Sequence, residues 1–187
     1  KQTPTYSMRT LAYHEATPGH HHQIAHSLEN EDLTLYRRFG YGTSAFSEGW
    51  ALYAERLALE VGLAENPYDE LGILQSELFR SVRLVVDTGM HYKRWTREEA
   101  MEYMKSKTGM SDTEVRVEIE RYIVWPGQAL SYKVGMIKIL ELRERAMKEL
   151  GDKFNIKDFH SAVLDHGNPP LFIVEEMVDK MIRENLN

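Results

Sequence analysis

Apolar residues along this chain recur at spacings of three and four, not two, so it is built to fold as helices. The last stretch shows the pattern in Leu171, Ile173, Val174, Met177, Val178 and Met181, which fall on one helical face and read as core packing, with no cofactor-binding pattern among them. Helix punctuation divides the rest. Residues from Ser7 to about Leu28 form a helix interrupted at Pro18-Gly19, and Asn30 to Phe39 form a short one before the turn Gly40-Tyr41-Gly42-Thr43. Ser47 can cap a helix running to Val61 with Gly62 as its stop, and Pro67 suits the first turn of a long helix reaching Gly89 or His91. Thr96 with Glu99 and Ser111 with Glu114 form capping boxes that open helices over 96–107 and 111–122. Pro126 opens another that reaches Leu150, and helices over 156–165 and 170–185 follow, separated by His166-Gly167-Asn168-Pro169. The expected fold is one all-α domain over residues 1–187, with at most a short β edge near Tyr41 to Ala45. No internal repeat, low-complexity tract or interior linker divides it.

Chemistry concentrates in His14-Glu15-Ala16-Thr17-Pro18-Gly19-His20-His21-His22-Gln23 and in Ser47-Glu48-Gly49-Trp50-Ala51-Leu52-Tyr53-Ala54-Glu55. Two imidazoles and one carboxylate around an open fourth position make a catalytic zinc site. A glutamate beside the first histidine is placed to take a proton from metal-activated water. The usual arrangement puts two histidines at i and i+4 of one helix. Here Pro18 occupies that position, and it removes a backbone hydrogen bond and crowds the preceding turn. A bulge, or a break and restart, at Thr17-Pro18-Gly19 would bring His20 to where the second ligand normally sits, whereas on an unbroken helix His21 falls in line with His14. Spacing alone leaves His20 and His21 as rivals. Glu48 and Glu55, seven apart, share a helix face; one can reach the metal and the other is suited to hydrogen-bond a ligand or form a salt bridge. His22 and His26, four apart, read as a surface pair.

HEATPGHHHQ resembles the H-E-x-x-P-G-H-H-x-Q signature of the microbial family known as domain of unknown function 885. The resemblance continues through FSEGWALYAE, RLVVDTGMH, WTREEAMEYM, YIVWPGQALSYKVGM and FHSAVLDHGNPPL, and so covers nearly the whole chain. That family is similar to the gluzincin metallopeptidases, in which a glutamate on a second helix is the third zinc ligand. The resemblance implies His14, His20 and Glu48 as ligands of Zn2+ and Glu15 as the base, and it favours His20 over His21. It also implies a longer N-terminal region, for which the start at Lys1, so close to the motif, argues as well. That region is expected to supply one wall of the substrate groove.

Further residues carry secondary roles. Asp87 and His91 lie four apart near the end of a long helix, where His91 can steady an oxyanion and Asp87 fix its tautomer; a helix-end histidine facing the dipole is the simpler alternative. Gln128 and Tyr132 are also four apart. The resemblance suggests Tyr132 as an oxyanion donor, against an aromatic packed between helices. Arg121 could hold a substrate carboxylate, although a structural ion pair is simpler. His160 and His166 read as surface or helix-end residues, and Trp50 and Trp125 as core.

The expected reaction is hydrolysis of an amide by zinc-activated water. Glu15 would act as general base and then as proton donor to the leaving amine, and His91 or Tyr132 would stabilise the oxyanion. A peptide is the expected substrate. A non-peptide small amide, or a non-catalytic helical binding module, is the alternative. The formal charge of −6 argues against nucleic acid as a partner. No apolar run reaches the length of a membrane span. The absence of cysteine excludes disulfides and thiolate zinc sites. A soluble protein, with a cytoplasmic setting favoured, is the expectation.

Overall fold

The computed structural model describes residues 5–40 and 42–186. Ten α-helices appear among them: α1 (Met8–Glu15), α2 (His20–Glu29), α3 (Leu35–Phe39), α4 (Ser44–Glu60), α5 (Pro67–His91), α6 (Arg97–Thr108), α7 (Asp112–Val124), α8 (Gln128–Leu150), α9 (Ile156–Leu164) and α10 (Leu171–Leu186). The expected all-α class is found, and no strand occurs among the described residues. Ser44 and Ala45, where a β edge was an option, open α4, while Tyr41 lies outside the described residues.

Local chemistry accounts for most boundaries. Both capping boxes form. Thr96 accepts from the Glu99 amide while the Glu99 carboxylate accepts from the Thr96 amide at 2.7 Å, and Ser111 and Glu114 repeat the pattern. Asn66 caps α5, its Oδ1 accepting from the amides of Tyr68 and Asp69. Two expected starts move. Over residues 30–39 only α3 is helical, because Asn30 Oδ1 accepts from the Asp32 amide and holds a turn that competes with helix. α4 begins three residues before the expected cap at Ser47: the Thr43 carbonyl takes the Phe46 and Ser47 amides, which leaves Ser47 inside the first turn.

α4 is buried nearly all round from Gly49 to Glu55, as expected of a helix at the centre of a bundle. Its closest partner is α8. A methyl group on Gly49 would stand 2.5 Å from Gly135 Cα, and one on Gly135 would stand 1.8 Å from the Ala45 carbonyl oxygen, so the two backbones touch. The two helices run parallel: Ser44 meets Ser131 at 2.9 Å near one end, and Arg143 reaches Glu60 at 2.6 Å near the other. α5 crosses α8 in the opposite sense, with Glu77 on Lys133 at 2.6 Å and Arg83 on Gln128 at 3.1 Å.

Two apolar clusters flank this centre. One joins α4, α8, α9 and α10 around Phe46, Trp50, Tyr53, Phe159 and Val178. The other joins α5, α6, α7 and the start of α8 around Val86, Met104, Ile119 and Tyr122. Trp50 belongs to the core as expected, but Trp125 does not. It ends α7 and is 59% exposed, because the chain turns there toward Gly127. Among the described residues no helix is long and apolar enough to cross a membrane.

Candidate metal centre

Helix α1 ends at Glu15 and α2 begins at His20, so the chain breaks and restarts across residues 16–19, where Pro18 forbids continuation. A glycine is required at the restart, since any Cβ on Gly19 would lie 1.9 Å from the His14 carbonyl oxygen. Trp50 ties the break to α4 by donating its indole N–H to the Pro18 carbonyl at 2.9 Å.

The break places His14 at the end of one helix, His20 at the start of the next, and both against Glu48 on α4. Glu48 Oε2 lies 3.1 Å from His20 Nε2 and 3.7 Å from His14 Nε2. The two rings meet edge to face with centroids 4.8 Å apart. One donor atom from each of the three residues lies within 4.8 Å of the others. His21, the rival by spacing, is exposed.

Glu55 takes the supporting position. It is 1% exposed, and its Oε1 lies 2.6 Å from Nδ1 of His14, itself only 3% exposed. That bond makes Nδ1 a protonated nitrogen and turns Nε2 toward Glu48. Glu55 Oε2 is buried without a partner. Burial works against ionisation of Glu48, yet the nearby His14, His20 and Tyr132 outweigh it and hold the carboxyl down at about 2. Burial also opposes protonation of His14, but the neighbouring carboxylates of Glu48 and Glu55 raise its pKa above the ordinary value.

Tyr132, at the start of the second turn of α8, lies nearly parallel to the His14 ring with centroids 6.1 Å apart. Gln128, one turn earlier, places Nε2 3.3 Å from the Tyr132 hydroxyl and 3.4 Å from Glu48 Oε1. Asp87 explains the position of this turn. Fully buried, it accepts from the Gly127 amide at 3.1 Å and the Leu130 amide at 3.3 Å, so α5 supplies the N-cap that α8 lacks in its own sequence. Asp87 therefore sets a helix start, with His91 3.7 Å from its other oxygen.

His91 is not brought to the triad. Its Nε2 lies 3.0 Å from the Tyr122 carbonyl in the last turn of α7, and 3.7 Å from Asp87. Glu15 is exposed beside His14, with no hydrogen bond or ion pair from its carboxylate among the described residues. Arg121 pairs with Glu118 at 2.6 Å. His26 pairs with Asp165 at 2.7 Å, and His22 lies beside it with no carboxylate of its own. His166 sits half-buried in the turn after α9. His160 is half-buried rather than freely exposed: it packs against Trp50, Tyr53 and Phe159, with Nε2 2.8 Å from the Tyr53 hydroxyl. Sequence reasoning passes over Arg80 and Arg83, which stand over the Tyr132 ring with guanidinium carbons 5.6 and 4.1 Å from its centroid.

Two solved structures share this arrangement of helices. The chain is 52% identical to a protein described as "the putative lipoprotein from Colwellia psychrerythraea", with a TM-score of 0.92 over 97% of this chain and 31% of that one. It is 29% identical to "a putative lipoprotein of unknown function from Shewanella oneidensis", with a TM-score of 0.85 over 92% of this chain and 31% of that one. The chain thus spans about a third of the length of either relative. No curated protein matches it. The model of the family described as "Bacterial protein of unknown function (DUF885)" matches residues 1–178, and the chain belongs to that family.

Proposed function

We propose that His14, His20 and Glu48 hold a zinc ion and that the site hydrolyses peptide bonds in the manner of the gluzincin metallopeptidases. One observation carries this reading: two imidazoles and a carboxylate from three helices converge, and a buried glutamate orients the first imidazole. The donor set suits zinc. Ligand atoms about 2.0–2.2 Å from a tetrahedral ion stand about 3.3 Å apart, and Glu48 lies 3.1 and 3.7 Å from the two histidines. Bound zinc supplies Lewis acidity, which acidifies water and polarises a carbonyl.

The chain's own residues supply the rest. Glu15, exposed next to a ligand and without a competing partner, takes the proton of the attacking water and passes it to the leaving amine. Tyr132 donates its hydroxyl to the oxygen that gains charge; His91, bound to the α7 carbonyl, is left out of that role. Glu55 fixes His14 in the tautomer that offers Nε2. We assign a wall of the substrate groove to the part of the related proteins that lies outside the matched third. A cell-envelope setting goes with this reading, carried over from the lipoprotein descriptions of both relatives, in place of the expected cytoplasmic one.

Metal analysis after dialysis tests the proposal. Wild type should retain one zinc per chain; His14→Ala, His20→Ala and Glu48→Ala should each lose it, and His21→Ala should keep it. Retention of zinc by the first three variants would sink the assignment.

A further inference from the structure

Arg80 and Arg83 occupy successive turns of α5, and neither lies within ion-pair distance of a carboxylate among the described residues. Arg83 is 4% exposed. It donates to Gln128 Oε1 at 3.1 Å and lies over the Tyr132 ring at 4.1 Å, while its Nε is buried without a partner. Arg80 donates to Ser76 Oγ at 2.6 Å, and its Nε too is buried and unpartnered. Arg83 is buried and Arg80 half-buried; a guanidinium withdrawn from water without a counterion is costly, and aromatic faces offset only part of that cost. Other cations near the site are paired, Lys133 with Glu77 and Arg121 with Glu118. Two cations left open beside a metal centre therefore point to an anion that arrives from outside.

The surroundings narrow the class of anion. Arg80 lines a cleft of about 250 Å³ between α1 and α5, and His14 and Glu55 line the same cleft. The other walls are largely apolar, with Leu11, Phe79 and Met110 among them. A planar guanidinium fork matches a carboxylate in two hydrogen bonds. The volume suits a residue or two rather than an extended chain. Glu55 is the one acidic group among the cleft's lining residues; one of its oxygens is bonded to His14 and the other is enclosed.

We propose that Arg80 binds the C-terminal carboxylate of a short peptide whose last side chain is apolar, so that cleavage releases residues from the C-terminal end. Arg83 is a positioning residue, holding Tyr132 and Gln128. The direction of cleavage rests on the zinc-hydrolase reading; the carboxylate subsite does not.

The experiment is calorimetric binding of N-acetyl-phenylalanyl-leucine and of its C-terminal amide to the full chain, first with chelator and then with zinc. The free acid should bind about 10-fold or more tighter than the amide without metal, the scale of a charge-assisted hydrogen bond. Arg80→Gln should bring the two ligands within about twofold while its zinc content stays at the wild-type value, and Arg80→Lys should fall between. Equal binding of acid and amide to wild type overturns the proposal. So does a preference that survives Arg80→Gln, or one that appears only when zinc is present, which would place the carboxylate on the metal. Arg80-dependent preference in a chain that takes up no zinc would leave this subsite standing and remove the metal reading instead.

Discussion

At the scale of single residues, the centre depends on how one imidazole is held. Glu55 lies in the core with one oxygen on His14 and the other without a partner, and nothing in the packing of α4 calls for a carboxylate there. On the proposed reading it fixes the nitrogen that His14 offers. Glu55→Gln should weaken zinc binding by about 10- to 100-fold, the usual effect of losing a carboxylate behind a ligand histidine, while the circular dichroism spectrum stays unchanged. Competition titration against a chromophoric chelator reads this directly, and unchanged affinity would reduce Glu55 to a packing residue. Glu15→Gln separates a different function. It should keep zinc and lower peptide turnover by about 100-fold or more, the scale of a lost general base; loss of zinc would make Glu15 a ligand or an anchor. The three proposed ligands and Glu15 stand out in the sequence because short motifs carry them. Arg80 and Arg83 do not, because only the crossing of α5 over α8 brings them to Tyr132. Arg121, the arginine that looks free in sequence, meets Glu118 one turn away on its own helix.

At the scale of elements, the centre is assembled by helix contacts more than by helix propensity. The capping boxes, the break at Pro18 and most helix boundaries can be read locally, since each depends on residues within one turn. The contact of α4 with α8 cannot, because Gly49 and Gly135 are far apart in sequence and look like ordinary helix glycines. Their backbones touch, and that distance sets how closely Glu48 approaches Gln128 and Tyr132. Gly135→Ala should therefore cost about 1–3 kcal/mol of stability, the usual penalty of overpacking a core. It should also weaken zinc binding although it touches no ligand. Thermal unfolding together with the chelator titration tests both parts; a variant that loses stability but keeps full affinity would show that the two helices part elsewhere. The N-cap that Asp87 lends to α8 was equally hidden. Its sequence neighbour at i+4, His91, suggests a pair and does lie 3.7 Å away, but its oxygens also take two amides at the start of another helix.

At the scale of the whole molecule, burial of His160 couples folding to pH. Burial and the charge of Arg143 push its pKa down to about 4, from about 6.5 in an unfolded chain. Between those values the unfolded state takes up a proton that the folded state refuses. The contribution is therefore complete above about pH 6.5 and is lost as pH falls toward about 4. Denaturation midpoints measured across that window should fall with acidity, and His160→Gln should flatten the slope relative to wild type; parallel slopes would show that His160 is not the group responsible. Trp50 touches the same histidine edge to face, and its indole N–H is bonded to Pro18, between the two histidines of the centre. Of the three tryptophans, it alone joins the core to the break. Its emission is consequently a built-in optical gauge of that break, sensitive to movement of the carbonyl on which this indole rests and readable without any added label.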